Sequence, residues 1–430
     1  MRNSAYGDPL YPQVALRTPD QVMRLARMGA FFPTRLSFMR TLIRRLVDEK
    51  AEVRRTVWEI NDAGFGRAVY SVPLGGHIYS LVAFSTPLNP EHRTDRVIAE
   101  AWDTSYVLFD GTPNMDDLTR LQANAPRQEA GRFEACDLVL LRANKSVRLF
   151  EHVVQNLSNG TQPDEDMIGS IGYLMRTTAV YGNGKFGTAD RSIIKDRPGL
   201  SGPFQAEMLA LWPVRGFTHD LVEHIARCRS PRTFVPLERR IKRHLGVGNA
   251  TGLGMAPFLV SHPVLINNWM MARETALARV RAIQQEDPAT VERVRGLITR
   301  VRHHLSEWNV EDRRQMDRIK VLRRELEQVD GIVTTEWLAV PRPWDRLVQF
   351  SCCWSLQCQE LIIALLLESH GNLIDGLAEC MSSDVRARIQ PSMNLADLRQ
   401  LVKEHFIWAL DFDFATEQAS SQFWYVSEDK

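Results

Sequence analysis

Short apolar runs divided by turn residues occupy positions 57–109, and the chain sustains that pattern nowhere else. Val57, Trp58 and Ile60 lead into the turn signal Asn61-Asp62-Ala63-Gly64. Residues 67–72 follow, then Gly75-Gly76, then residues 77–84, and a fourth run covers 97–109. β-Branched and aromatic side chains fit a pleated, half-buried surface, and Gly, Asn, Asp and Pro reverse the chain between such stretches. The spacing predicts an antiparallel meander, the one sheet expected in the chain.

Elsewhere the apolar residues recur at helical intervals. Thr18 is placed to cap a helix with Pro19 and Asp20 in its first turn. Phe31-Phe32-Pro33 interrupts it, and Thr34 restarts a helix with Leu36, Met39, Ile43 and Leu46 on one face. Further helices are expected over 114–157 behind Asn114, over 164–178, and over 217–228 up to Ser230-Pro231. Residues 264–330 promise long helices, with starts at Asp287-Pro288 and Asn309 and with Ile319, Leu322, Leu326 and Val329 three or four apart. Residues 347–381, broken near Gly371, and 395–410 form a more apolar C-terminal set.

The fold class expected is α+β, predominantly helical, with a small antiparallel N-terminal sheet and a long helical arm. Four regions follow: an α+β part over 1–160, a Gly-rich region over 161–265, a helical hairpin or arm over 266–335, and a helical core over 336–430. The helices of 268–330 are expected to mediate homo-oligomer formation.

With 44% hydrophobic and 24% charged residues among 430, the chain can bury a sizeable core. The 53 Lys and Arg against 52 Asp and Glu give a net charge of +1, which removes the usual argument for bulk nucleic-acid binding. The N-terminal residues lack the apolar stretch of a secretory signal, and the apolar run 361–367 is far too short to span a bilayer. Six cysteines, at 136, 228, 352, 353, 358 and 380, follow no framework spacing and read as reduced thiols. A cytoplasmic, soluble protein without a membrane partner is the expectation.

Two Gly-rich polar segments draw the functional reading. Over 176–191, Gly182, Gly184 and Gly187 let backbone approach a ligand closely. Arg176, Lys185 and Arg191 supply cations, Asn183 supplies hydrogen bonds, and Tyr181 supplies a phenol. Such a set suits a carboxylate or a phosphate. It is not a P-loop, because Phe186 stands where a Ser or Thr would hold magnesium. The second segment, 246–258, has four glycines within nine residues. The basic, helix-patterned residues 239–244 precede it instead of a buried strand, and no βαβ unit is expected around it, so a dinucleotide fingerprint is not read there. Asn249 and Thr251 are its hydrogen-bonding side chains.

His262 follows at the start of a helix, with a pKa class suited to proton transfer near neutrality. Ser261 lacks a nucleophile elbow. Cys352, Cys353 and Cys358, the pair His219 and His224, and His303-His304 all lack metal-clamp spacing, so no metal site is expected and no cofactor is legible. Asp411 and Asp413 alternate with phenylalanines as a strand edge would. The functional expectation is an enzyme acting on a small anionic metabolite by acid–base chemistry of lyase, isomerase or hydrolase type. His262 or Tyr181 would move the proton, and Arg176, Asn183, Lys185, Arg191, Asn249 and Thr251 would bind the substrate. The alternative is a non-catalytic assembly or regulatory protein acting through the helical arm.

Overall fold

The computed structural model describes residues 7–8, 11–22, 27, 30–89, 91, 101–124, 134–181, 194, 196–200, 205–249, 263–307, 313–334, 336–337, 340–377 and 393–405. The chain divides into two units, one of residues 42–261 and one of residues 1–41 with 262–430. It opens with an antiparallel ribbon, β1 (Gly7–Asp8) and β2 (Tyr11–Ala15), followed by the single turn α1 (Pro19–Val22). Helix α2 (Phe38–Asp48) starts four residues beyond the expected restart at Thr34, and the unit boundary falls within it.

Among the described residues, the sheet of the 42–261 unit has seven strands, where the four runs of a meander were expected. The expected part is β3 (Arg54–Ile60), β4 (Gly66–Leu74), β5 (His77–Ser85) and β6 (Thr104–Asp110), each antiparallel to the one before it. Helix α3 (Met115–Asn124) then begins as Asn114 predicts: Asn114 Oδ1 accepts from the Asp117 N–H, and Asp117 Oδ2 accepts from the Asn114 N–H, each at 2.9 Å.

The helix expected over 114–157 does not continue. Strand β7 (Asp137–Lys145) interrupts it before α4 (Phe150–Ser158). Likewise α5 (Glu165–Ile171) ends at Gly172 in the left-handed conformation (φ 72°), and β8 (Tyr173–Tyr181) replaces the rest of the helix expected over 164–178.

The reason for both misses is burial. β7 is buried at Asp137, Leu138, Val139, Leu140 and Leu141 in succession, so it lacks the alternation that betrays a strand. An apolar run covered on both faces looks the same as a buried helix segment. One cover is α3: Leu118 and Leu121 pack on Val69, Val82, Phe84, Val107, Phe109 and Leu140. The other is α6 (Gln205–Arg229), a 25-residue helix about which the sheet curls, touching every strand from β4 onward. Phe217 of α6 meets Trp58, Tyr70 and Tyr106 at centroid distances of 6.0, 6.4 and 5.7 Å, the last two edge-on. Such aromatic pairs add roughly 0.5–1.5 kcal/mol beyond area burial.

After α6 comes α7 (Arg239–His244), helical as its pattern suggests, and then the seventh strand, β9 (Gly246–Asn249). β9 runs parallel to β8, with Arg176 opposite Gly248 and Thr177 opposite Asn249. A β8–α6–β9 crossover thus ends at the start of the second Gly-rich segment, whose residues 250–258 lie outside the described residues.

The other unit is helical beyond its N-terminal ribbon. Its elements are α8 (Pro263–Arg281), α9 (Pro288–Glu307), α10 (Arg313–Ile332), α11 (Pro343–Phe350), α12 (Leu356–Ser369), the single turn α13 (Gly371–Ile374) and α14 (Leu395–His405). Asp287 caps α9 as expected, accepting from the Thr290 N–H at 2.8 Å. Arg302 reaches Asp330, and Arg323 donates to the carbonyl of Leu305, so α9 and α10 form an antiparallel hairpin. Their apolar stripe, including Val294, Ile298, Leu322 and Leu326, lies in one core with Leu361, Ile362 and Leu366 of α12. The hairpin is thus packed within its unit. Among the described residues no helix is long and apolar enough to cross a membrane.

Candidate functional site

Of the residues expected to form a site, Asn183, Lys185, Arg191, Thr251 and His262 lie outside the described residues. Tyr181 ends β8 and Asn249 ends β9, both described in their backbones. Arg176, inside β8, is half-buried. The parallel register brings Arg176 and Asn249 onto neighbouring strands. Asp411 and Asp413 also lie outside the described residues.

A different group of residues surrounds a defined cavity. It holds about 410 Å³ and is lined by Val53, Arg55, Tyr70, Trp212, Arg215 and His219, with Pro213, Gly216 and Asp220 completing the wall. Helix α6 supplies most of the lining. Pro213 sits in the helix interior, where its ring excludes a backbone N–H that would otherwise bond back to Leu209. Such a proline costs roughly 3 kcal/mol in a free helix, so its survival here depends on the cover of the surrounding sheet.

Arg215 carries the unusual charge. Its Nε donates to the Leu245 carbonyl at 2.7 Å, and its Nη2 donates to the Lys242 carbonyl. Among the described residues no carboxylate pairs with it. Burial pushes its pKa down, since the charged form loses water and gains only backbone dipoles and the Trp212 ring, 5.9 Å away.

His219, one turn further along α6, is buried, with Nε2 3.2 Å from the same Leu245 carbonyl. A carbonyl can only accept, so Nε2 carries the hydrogen and Nδ1 holds the lone pair. Nδ1 has no hydrogen-bond partner among the described residues. The imidazole pKa is pushed down to about 4, first by burial and then by the positive charges of Arg215 and Lys242. At neutral pH it is a neutral ring lining the cavity.

The other polar residues of the lining form a paired set. Tyr70 donates its hydroxyl to Asp220 Oδ2 at 2.6 Å, and Arg55 donates to the same oxygen at 3.1 Å. Burial and the Asp220 charge both push the phenol pKa up, so Tyr70 remains protonated. The Arg55 guanidinium lies 4.6 Å from the centre of the Trp58 ring. The cleft therefore presents two guanidiniums against one carboxylate, a neutral imidazole and an indole wall at Trp212.

The sequence points to His262 as the proton carrier and offers His219 only as a metal ligand beside His224. The overlooked signal is Trp212-Pro213-Val214-Arg215-Gly216-Phe217-Thr218-His219-Asp220. A proline, two charges and a histidine interrupt a helix that is buried most of the way round. Among the described residues, no three His, Cys, Asp or Glu side chains stand together so as to hold a metal ion.

No protein-family model, curated protein or solved structure matches the chain.

Proposed function

We propose that this protein binds a small anionic molecule in the α6 cleft and acts on it by acid–base chemistry. The substrate class is the carboxylate or phosphate expected from the sequence, and the working residues are those of the cleft. Arg215 is the chief counter-charge, Arg55 draws the anion from the rim, and His219 exchanges a proton with the bound molecule through Nδ1.

The observation that supports this reading most is Arg215 itself. A half-buried guanidinium that opens on a cavity and pairs with no carboxylate among the described residues is electrostatically incomplete, and an anion completes it. His219 lies on the same helix face with an open ring nitrogen, which is the geometry a general acid or base needs. Lyase, isomerase and hydrolase chemistry are the reaction types consistent with one proton carrier and a charge clamp.

The test is a calorimetric titration with small carboxylates, inorganic phosphate and sulfate, on wild type and on Arg215→Gln. Wild type is expected to bind at least one of these anions, and the variant to bind it at least about tenfold more weakly, the worth of a charge-assisted hydrogen bond. Absence of anion binding by wild type, or equal affinity in the variant, refutes the reading.

A further inference from the structure

The charges around His219 allow the substrate class to be narrowed, an argument that rests on the cleft being the anion site. We infer that the cleft selects a doubly charged tetrahedral anion, of the phosphate or sulfate type, by drawing one proton from solvent onto Nδ1 of His219 as the anion enters.

Among the described residues, the charged and titratable groups around His219 are these. From α6 come Arg215 and Asp220, and from α7 comes Lys242, whose Nζ lies 2.6 Å from Glu223. From β3 comes Arg55, already bonded to Asp220, and from β4 comes Tyr70, whose hydroxyl is also committed to Asp220. The Leu245 carbonyl holds Nε2. Lys242 and Arg55 are thus each answered by a carboxylate. Among the described residues, the charge of Arg215 has no carboxylate to answer it.

Two classes of anion meet this arrangement differently. A monocarboxylate neutralises Arg215 and leaves no reason for the imidazole to charge. A dianion neutralises Arg215 and leaves one negative charge in a half-buried cleft beside a ring nitrogen with a free lone pair. That excess favours the imidazolium by Coulomb attraction and by the new Nδ1–H···O hydrogen bond. Burial first, and then the charges of Arg215 and Lys242, hold the ring neutral, and these cations stop opposing its charge once an anion covers them. No covalent bond changes: one proton leaves the buffer and joins Nδ1. A tetrahedral group also offers separate oxygens to the Arg215 fork and to the imidazole, which the two coplanar oxygens of a carboxylate serve less well.

Sulfate is the probe of choice because it remains a dianion from pH 5 to 8, and acetate is its monoanionic counterpart. Titration calorimetry in buffers of different ionisation enthalpy counts the protons taken up. Sulfate is expected to bind with uptake approaching about one proton. Its affinity should fall about tenfold per pH unit in the window between the free and bound imidazole pKa values. Acetate should bind more weakly and with no proton uptake. His219→Gln keeps a donor for the Leu245 carbonyl and should bind sulfate with no uptake at all. Sulfate binding without proton exchange in wild type, or acetate matching sulfate in affinity and pH dependence, overturns the inference while leaving the anion site intact. Failure of both anions to bind overturns the site itself, and the inference with it. The wild-type proton count decides the matter even if the variant fails to fold.

Discussion

The two units treat buried charge in opposite ways. In the helical unit, Arg273 is 1% exposed, yet it reaches Glu360 at 2.5 Å and Glu274 at 3.3 Å and lies over the Phe31 ring at 4.2 Å. Arg17 grips Glu274 with two nitrogens, and Arg27 reaches Glu360 at 2.6 Å. Each of these guanidiniums finds a carboxylate, and the Glu360 carboxyl is held below its ordinary pKa despite a burial penalty that acts the other way. The 42–261 unit follows the same rule at Arg120 and Asp137, then departs from it at Arg215 and His219. Closed networks of this kind hold segments together, whereas open charge beside a cavity is available to a ligand.

The largest effect expected from this contrast is at Glu360. Glu360→Ala leaves Arg17, Arg27 and Arg273 to share Glu274, and an uncompensated buried charge costs about 3–5 kcal/mol. Denaturant unfolding followed by a probe in the helical unit should show that loss. Arg215→Gln, read by a probe in the sheet unit, should cost under about 1 kcal/mol, because it also removes a desolvated charge. Equal losses at the two positions would break the comparison.

Acid separates the units next. The unfolded His219 ring takes up a proton near its ordinary 6.5, while the folded ring resists until about 4. As pH falls, the unfolded chain binds that proton first, so stability present above 6.5 drains away between 6.5 and 4, about 3 kcal/mol in all. In the helical unit, Glu286 and Glu360 have lowered values, so their contribution is present above the ordinary 4.5 and is lost only below it. Hydrogen exchange at pH 7 and pH 5 should therefore show the sheet unit opening more readily at pH 5, with little change among α9, α10 and α12. His219→Gln should flatten the response of the sheet unit. A parallel loss in both units would place the acid sensitivity elsewhere.

What could be read in advance followed which faces water wets. The β3–β6 meander was legible because Gly, Asn and Asp mark its turns, and α9 and α10 were legible because each keeps a polar back and an apolar front. β7 was not, since cover on both sides erases the period that distinguishes strand from helix, and of α6 only the 217–228 part was legible. At 164–178 the overlooked stop was Gly172, whose positive φ ends α5. None of the α6 cleft was legible as a site. The glycine runs were noticed, and the pairing of β8 with β9 brings Arg176 and Asn249 onto neighbouring strands. The α6 cleft was missed because its parts are distributed among Arg55, Tyr70, Arg215 and His219, and only the curl of the sheet gathers them.

The smallest effect expected separates rim from interior within the cleft. Arg55 is paired with Asp220 at 3.1 Å, and the two side chains are 45% and 32% exposed, so water and salt screen both. Arg55→Gln should change stability by less than about 0.5 kcal/mol. It should weaken sulfate binding only about threefold at low salt, through lost attraction and an Asp220 charge left facing the anion. At 0.5 M salt the screening length is only a few ångströms, and the Arg55→Gln deficit should vanish. The Arg215→Gln deficit should persist there, because that guanidinium meets the anion in direct contact, out of reach of mobile ions. If salt erases both deficits equally, Arg215 acts from the rim as Arg55 does, and the distinction between a paired, screened charge and an open, buried one no longer separates them.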